Sequence, residues 1–267
     1  MGSTLLMQLL ASSPQVALDR RYPIGEYRYL SYCVRVARHI TTPFDPDTHS
    51  GVGETFFGAN PIVGPLPFDP EALDRDVLQR RATAHLWEAM SEAMTERSPG
   101  VTLYAEKIAV RLSEVVEAAI PVRVVDCVRD PRDVLASIRS FTNRIGPVLF
   151  GRRRGEPEHE YLERFIDSAA RGLDLIADVP VGVEQQIVRY EDFAVDLEST
   201  ATRIGEWLGV TLDADIVHAR RSQMAEHITT DSVQDSIGRW RTDLAPREAA
   251  AIWKALGDRL TALGYTE

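Results

Sequence analysis

The sequence predicts an α/β fold with a mainly parallel central sheet that is flanked by helices on both faces. An apolar, β-branched run at residues 122–128 is typical of a buried strand in a parallel sheet. A helical pattern begins directly after it, at Val134. The same order recurs further along the chain, where a short strand at residues 186–189 leads into a helical pattern at 192–208. Strands that alternate with helices indicate a parallel sheet.

Length and composition favour a single domain over residues 1–267, since 267 residues with 44% apolar content can build one substantial core. The net charge of −10 argues against a protein that coats nucleic acid, although a local arginine cluster can still bind a small anion. Cys33 and Cys127 suggest neither a disulfide framework nor a metal site. No run approaches the length of a membrane span and no secretory leader is evident, so we expect a cytoplasmic protein.

The remaining elements follow from periodicity. A helix is predicted to open at Asp69-Pro70, and Gly264 is expected to cap the last helix. Residues 41–68 and 143–157 have no clear periodicity, and we expect these irregular segments to line a ligand pocket. The apolar stripe of the helix that opens at residue 69 comprises Leu73, Val77, Leu86, Met90 and Ala93. Further helices are predicted at residues 4–11, 27–40, 160–177 and 246–263, and a further strand at 101–105.

Arginines and hydroxyls collect where the strand at residues 122–128 meets its helix. Open α/β sheets bind ligands in the crevice at such strand ends, and Pro131 fits the first turn of a helix there. Arg129, Ser137 and Arg139 therefore form a candidate phosphate clamp, supported by the dipole of the helix N-terminus. A surface junction held by Arg–Asp pairs is the alternative, and this segment alone does not decide between them.

Two further segments offer groups to an anion. The turn Gly2-Ser3-Thr4-Leu5 enters a helix with free N–H groups and two hydroxyls, although an ordinary N-cap would read the same way. Lys107 follows a strand end and is one of only two lysines among 30 basic residues. A surface ion pair is the alternative for this lysine.

Two later segments add aromatic and basic groups. Tyr190 directly follows the strand at residues 186–189 and could stack on a purine, although a buried core tyrosine is the commoner explanation. The sequence SIGRWR combines Ser236, Arg239 and Arg241 in one short loop. When this segment is considered alone, an ordinary turn with exposed polar side chains explains the same residues equally well.

Taken together and in this order, the segments resemble the sulfotransferase family that uses 3′-phosphoadenosine 5′-phosphosulfate. The resemblance covers nearly the whole chain, and its most specific parts are VRDPRDVLASI and VRYEDF. It implies a P-loop-like three-layer fold and a nucleotide co-substrate, with no metal. It also implies transfer of a sulfonate to a hydroxyl or amine of a small-molecule or peptide acceptor. Nucleic acid is not an expected partner, and a homodimer is left open.

The resemblance also implies roles for residues that hold the nucleotide. Arg129 and Ser137 would bind the 3′-phosphate, and Tyr190 would lie near the nucleotide. The loop with Arg239 and Arg241 would close over it. The first turn would hold the 5′-phosphosulfate end through Gly2, Ser3, Thr4 and Leu5.

A closer likeness is to the tyrosylprotein and Golgi-type branch of this family, whose Glu-x-Arg element corresponds here to Glu26-Tyr27-Arg28. In that branch the glutamate is the general base, which implies this role for Glu26, with Arg28 orienting it and keeping it ionised. The same branch places a lysine and a serine on the sulfonate, and Lys107 and Ser236 occupy those motif positions.

One departure from the family concerns the first loop, because Met1 stands where the family has a serine, and the usual first strand is missing. We expect the native reading frame to extend upstream. A nucleotide-binding homologue without catalysis is one alternative. A P-loop kinase is disfavoured because no G-x-x-x-x-G-K-[ST] sequence occurs.

Overall fold

The elements below come from a computed structural model, which describes residues 3–20, 24–41, 74–146, 152–219, 230 and 232–267. In chain order they are α1 (Ser3–Leu10), β1 (Val16–Ala17), α2 (Tyr29–Thr41), α3 (Arg75–Arg97), β2 (Leu103–Tyr104), α4 (Leu112–Glu117), β3 (Arg123–Val128), α5 (Pro131–Ile145), α6 (Glu158–Ala177), β4 (Glu184–Arg189), α7 (Tyr190–Val195), α8 (Leu197–Leu208), α9 (Ala214–Ala219), a 3₁₀ turn (Gln234–Ser236), α10 (Trp240–Asp243) and α11 (Pro246–Ala262).

The chain divides into two compact units. The first unit comprises residues 1–16, 22–24 and 123–267, and therefore contains α1, β3, β4 and α5 to α11. The second unit comprises residues 17–21 and 25–122, and contains α2, α3, α4 and β2. The prediction of one domain over residues 1–267 stays a prediction.

The first unit contains the parallel strand pair that the sequence predicts. Strands β3 and β4 run parallel, with Arg123 opposite Glu184 and Val128 opposite Arg189. Helices precede and follow each strand along the chain, which confirms the α/β class. Because the strands are parallel and in register, the residues that follow both leave the sheet at the same edge.

Helix α5 begins immediately after β3 because its first residues supply their own cap. Asp130 is the N-cap, and its carboxylate accepts a hydrogen bond from the backbone N–H of Arg132 at 2.8 Å. Pro131 occupies the first helical position, where a missing N–H costs nothing. The helix extends to Ile145, so the prediction that the irregular segment begins at residue 143 is wrong for residues 143–145.

The core of the first unit lies among α5, α6 and α11. The helix predicted at 160–177 begins two residues earlier, at Glu158, and its apolar side chains pack in this core. Helix α11 ends at Ala262, and Gly264 follows it with a φ of +80°, which favours glycine. The buried residues of this core are Val128, Leu135, Ala136, Ile138, Tyr161, Leu173, Leu244, Ile252, Leu256, Leu260 and Tyr265.

The single helix predicted over residues 192–208 is two helices, α7 and α8. Asp196 separates them in a non-helical conformation, with φ −137° and ψ 84°. Its carboxylate accepts from the backbone N–H of Ser199 at 2.9 Å and thereby caps α8. Aspartate fits a helical pattern as a surface residue, so apolar periodicity alone does not reveal this break. The short helices α4, α9 and α10 and the 3₁₀ turn were not predicted either.

The long helix of the second unit, α3, begins later than predicted. Asp74 is its N-cap and accepts from the backbone N–H of Val77 at 3.0 Å, so this helix does not open at Asp69-Pro70. Residues 69–73 lie outside the described residues, as do 42–68. Thr83 is the buried residue of α3, whereas Ala93 of the predicted stripe is exposed.

The core of the second unit forms where α2 packs with α4 and the segment after it. Its buried residues are Leu30, Val34, Val115, Ala118 and Ile120, with Trp87, Tyr104, Val110 and Val122 packed against them. Within the described residues, no helix combines the length and the apolar character needed to cross a bilayer.

A buried glutamine in α1 gives a stability prediction. Gln8 is 1% exposed, and neither polar atom of its side-chain amide hydrogen-bonds a residue that the structure describes. Because a buried, unsatisfied amide costs free energy, Gln8→Leu should raise the free energy of unfolding in urea by about 1–2 kcal/mol. Gln185 is the matched control, since its amide donates to Asp126 and to the carbonyl of Ile176, both at 2.8 Å. Gln185→Leu should destabilise, and a loss of stability in Gln8→Leu would contradict the prediction.

Candidate functional site

Arg129 is the first residue after β3 and lies at the edge where β3 and β4 both end. Its side chain is buried, with only 8% of the residue exposed. Its Nη2 donates to the backbone carbonyl of Ser236 at 2.8 Å, and its guanidinium carbon lies 4.3 Å from the ring centre of Tyr190. Its Nε is buried and hydrogen-bonds no residue in the described part of the chain. Among the described residues, Arg129 forms no salt bridge with a carboxylate, so its buried charge is not neutralised by an ion pair.

The neighbouring arginines differ from Arg129 because they are paired. Arg132 is also buried, but it forms a bidentate ion pair with Asp130, at 2.8 Å for the closest contact. Arg139 binds Glu158 and Glu248, and these hydrogen bonds raise the pKa of its guanidinium. In this structure Arg139 is therefore not available to bind a phosphate, because it is already paired with two carboxylates. Ser137 is half-buried on α5.

The loop that contains Ser236 is tied to the start of α5. The Asp133 carboxylate accepts from the backbone N–H groups of Gly238 at 2.7 Å and Trp240 at 3.0 Å. Burial raises the pKa of Asp133, and these two hydrogen bonds counteract part of that effect. With the bond from Arg129 to the Ser236 carbonyl, three hydrogen bonds join this loop to the junction after β3.

The predicted residues of this loop lie in different environments. Ser236 is buried, and its Oγ donates to the carbonyl of Val233 at 2.5 Å and hydrogen-bonds Tyr190 Oη at 3.0 Å. Arg239 is paired with Asp243. Arg241 is exposed, and its guanidinium carbon lies 4.4 Å from the ring centre of Trp240. The structure therefore brings Arg129, Tyr190 and Ser236 into direct contact.

A cavity of about 130 Å³ lies beside this junction and includes residues that the sequence analysis missed. Glu191 accepts from the backbone N–H of Asp130 at 3.0 Å and from Tyr265 Oη at 2.7 Å. Arg132 donates to the carbonyl of Thr266 at 2.6 Å. Glu191 belongs to the VRYEDF motif, so its position was available, but no local pattern links Tyr265 or Thr266 to this edge. The cavity is lined by Asp130, Arg132, Asp133, Arg189, Glu191, Ile237, Gly238, Trp240, Arg241, Gly264, Tyr265 and Thr266.

The described part of the predicted Gly2–Leu5 turn forms the start of helix α1. Ser3, Thr4 and Leu5 are half-buried at the start of this helix, followed by buried residues from Leu6 onward. Gly2 lies outside the described residues. The prediction that this turn holds an anion stays a prediction.

Glu26 and Lys107 form an ion pair in the second unit. Lys107 Nζ donates to Glu26 Oε1 at 2.5 Å, and Arg28 Nη2 donates to Glu26 Oε2 at 3.1 Å. Burial raises the pKa of Glu26, but the hydrogen bonds and charges of Lys107 and Arg28 outweigh burial and hold the pKa below its usual value of 4.5. Glu26 is therefore an ionised carboxylate at neutral pH, with one basic group on each oxygen.

Comparison with known proteins identifies the family. A family model described as "Sulfotransferase family" matches residues 2–215 of the chain. The chain belongs to the sulfotransferase family. This sulfotransferase has no match among curated protein sequences. Of the residues that the structure describes, no group of three or more His, Cys, Asp or Glu side chains is arranged to hold a metal ion.

Solved structures agree with this assignment at the level of the fold. The sulfotransferase domain from the Synechococcus PCC 7002 olefin synthase is 18% identical, with a TM-score of 0.54 over 100% of this chain and 91% of that chain. The sulfotransferase domain from the curacin biosynthetic pathway is 14% identical, with a TM-score of 0.50 over 96% of this chain and 93% of that chain. The protein is thus a transferase with the sulfotransferase fold, and its family and fold support sulfonate transfer in general.

Proposed function

We propose that this sulfotransferase moves a sulfonate from 3′-phosphoadenosine 5′-phosphosulfate to a hydroxyl or amine of an acceptor. The observation that carries the proposal is Arg129, a buried arginine at the strand edge that forms no salt bridge with a described carboxylate. A buried charge is stable only when it is paired or well hydrogen-bonded. A phosphate group is a suitable counter-ion, since a guanidinium binds its oxygens through two donors.

The residues around Arg129 would hold the nucleotide. Arg129 and Ser137 would bind its 3′-phosphate, with Ser137 on the second turn of α5. Tyr190 would lie near the nucleotide, and Arg239 and Arg241 would belong to the loop that closes over it. The N-terminus of α1 would hold the 5′-phosphosulfate end through Gly2, Ser3, Thr4 and Leu5, as in a P-loop-like fold.

The transfer itself would be an in-line displacement at sulfur. The acceptor oxygen or nitrogen forms a bond to sulfur while the bond from sulfur to the phosphate oxygen breaks and leaves adenosine 3′,5′-bisphosphate. Glu26 would take the acceptor's proton, and its low pKa keeps it in the basic form. Lys107 would stabilise the charge that develops on the leaving oxygen. Ser236 would donate to a sulfonate oxygen, which requires its hydroxyl to turn away from the Val233 carbonyl.

The same proposal includes the branch of the family, the cellular location and the acceptor of this protein. We place the protein with the tyrosylprotein and Golgi-type branch on its Glu26-x-Arg28 element, and treat residues 1–267 as one cytoplasmic sulfotransferase-like domain. Its acceptor is a small molecule or a peptide, bound by residues 41–68 and the segment that follows α5. A homodimer is compatible with this role.

Calorimetry with adenosine 3′,5′-bisphosphate tests the proposal, with adenosine 5′-monophosphate as the matched ligand that lacks the 3′-phosphate. We expect a dissociation constant on the order of micromolar for the bisphosphate and binding at least about 10-fold weaker for the monophosphate, or 1.4 kcal/mol. Release of bisphosphate from labelled donor in the presence of an acceptor library would then report turnover. Equal affinity for the two nucleotides, in a folded protein, would contradict the proposed donor.

A further inference from the structure

Glu106 makes an unusually complete set of hydrogen bonds directly beside Lys107. Its Oε2 accepts from the backbone N–H of Leu30 and from Tyr104 Oη, both at 2.9 Å. Its Oε1 accepts from the backbone N–H of Ser31 at 3.0 Å and from Ser31 Oγ at 2.5 Å. One half-buried carboxylate thus receives four hydrogen bonds, three of them from the start of α2.

These bonds cap α2 from a distant part of the chain. The first N–H groups of a helix have no partner within it, and a negative charge is favourable at this end. Here Glu106 satisfies Leu30 and Ser31, while Tyr104 Oη accepts from the N–H of Tyr29 at 2.9 Å. The groups that cap α2 therefore come from the end of β2 and the segment that follows it, about 75 residues later in sequence.

The far end of the same segment is also attached to α2. The backbone N–H of Ala109 donates to Ser31 Oγ at 3.0 Å, and Arg35 Nη2 donates to the Ala109 carbonyl at 3.1 Å. Lys107 lies between the two attachment points, Glu106 and Ala109. Glu26 lies three residues before Tyr29, where α2 begins. The hydrogen bonds of Glu106 therefore connect the two backbone segments that carry the Glu26–Lys107 ion pair.

We propose that Glu106 is a positioning residue that fixes Lys107 relative to Glu26 in this sulfotransferase. The inference rests on the proposed function for the roles of Glu26 and Lys107, and on the contacts above for the part that Glu106 plays. Glutamine at this position would keep the size of the side chain but replace one acceptor oxygen with an N–H₂ group. In either orientation this group would face a donor from α2, so the segment and the helix would separate.

Glu106→Gln tests the proposal through two independent measurements. Because a misplacement of about 1 Å can cost on the order of 100-fold in rate, we expect kcat to fall about 10- to 100-fold with donor KM nearly unchanged. We also expect the pKa of Glu26 to rise, since Lys107 would no longer be held beside it. That pKa is measured by NMR titration of labelled glutamate carboxyls, with the Glu26 signal identified by its absence in Glu26→Gln.

Glu114→Gln is the matched control, because Glu114 is another half-buried carboxylate that caps a helix of the same unit. It accepts from the backbone N–H of Arg111 at 3.2 Å and pairs with Arg38. We expect this variant to lose stability but to keep kcat and the pKa of Glu26. If Glu106→Gln behaves in the same way, Glu106 is a helix cap only and the proposal is wrong.

Two further results keep the test decisive. If Glu106→Gln does not fold, Tyr104→Phe removes a single hydroxyl from the same carboxylate and should shift kcat and the pKa of Glu26 in the same directions by less. If the wild-type protein transfers no sulfonate, the proposed function fails, whereas the titration still tests the position of Lys107. An unchanged pKa of Glu26 in Tyr104→Phe and Glu106→Gln would then overturn the inference by itself.

Discussion

Lys107→Met should lower kcat for sulfonate transfer by about 10²–10³-fold, which is the loss expected when a group that stabilises the charge of the transition state is removed. Methionine keeps most of the length of the side chain, so the fold should persist. Lys107 Nζ now lies 2.5 Å from Glu26, and its side chain is 15% exposed. Its charge is therefore partly shielded from solvent, where electrostatic interactions are stronger than in bulk water.

The pH profile of Lys107→Met supplies a second readout. Glu26 has a lowered pKa because Lys107 and Arg28 outweigh burial, so loss of Lys107 should raise that pKa. Since a general base must be ionised, the acidic limb of the kcat profile should move to higher pH. Lys254→Met is the control, because Lys254 is the other lysine of the chain and lies exposed on α11. An unchanged kcat in Lys107→Met would remove Lys107 from the mechanism.

Local signals explain which parts of the fold the sequence could predict. The junction after β3 has an apolar run, an N-cap at Asp130 and a proline at the first helical position, all within a few residues. The break at Asp196 was missed, because an aspartate can be either a cap or a surface residue of a continuous helix. The choice depends on the backbone conformation, which periodicity does not determine.

Distant partners explain which site residues could not be predicted. Arg129 and Arg139 both looked like phosphate ligands, and the difference between them is that Arg139 is paired with Glu158 and Glu248, which lie 19 and 109 residues after it. Likewise Tyr265 reaches Glu191 across 74 residues of sequence. The resemblance placed Glu26 and Lys107 in one site, and the structure brings them together as an ion pair, but neither motif indicates that Glu106 connects their backbones.

The contrast between the arginines gives the second large prediction, on nucleotide affinity. Arg129→Lys should weaken binding of adenosine 3′,5′-bisphosphate by about 100-fold, because an ammonium keeps the charge but loses the planar pair of donors. Binding of adenosine 5′-monophosphate should change much less, since that nucleotide has no 3′-phosphate for Arg129 to bind. Calorimetry with both nucleotides measures the difference.

Arg139→Lys is the matched control for this prediction, since Arg139 lies on the adjoining helix but is held by Glu158 and Glu248. It should lower the free energy of unfolding and leave the affinity for the bisphosphate unchanged. If Arg129→Lys weakens both nucleotides equally, Arg129 supports the site through Ser236 and Tyr190 rather than by binding the 3′-phosphate. If only Arg139→Lys weakens the bisphosphate, the ion pairs of Arg139 open when the nucleotide binds, and the assignment of the phosphate site moves along α5 from Arg129 to Arg139.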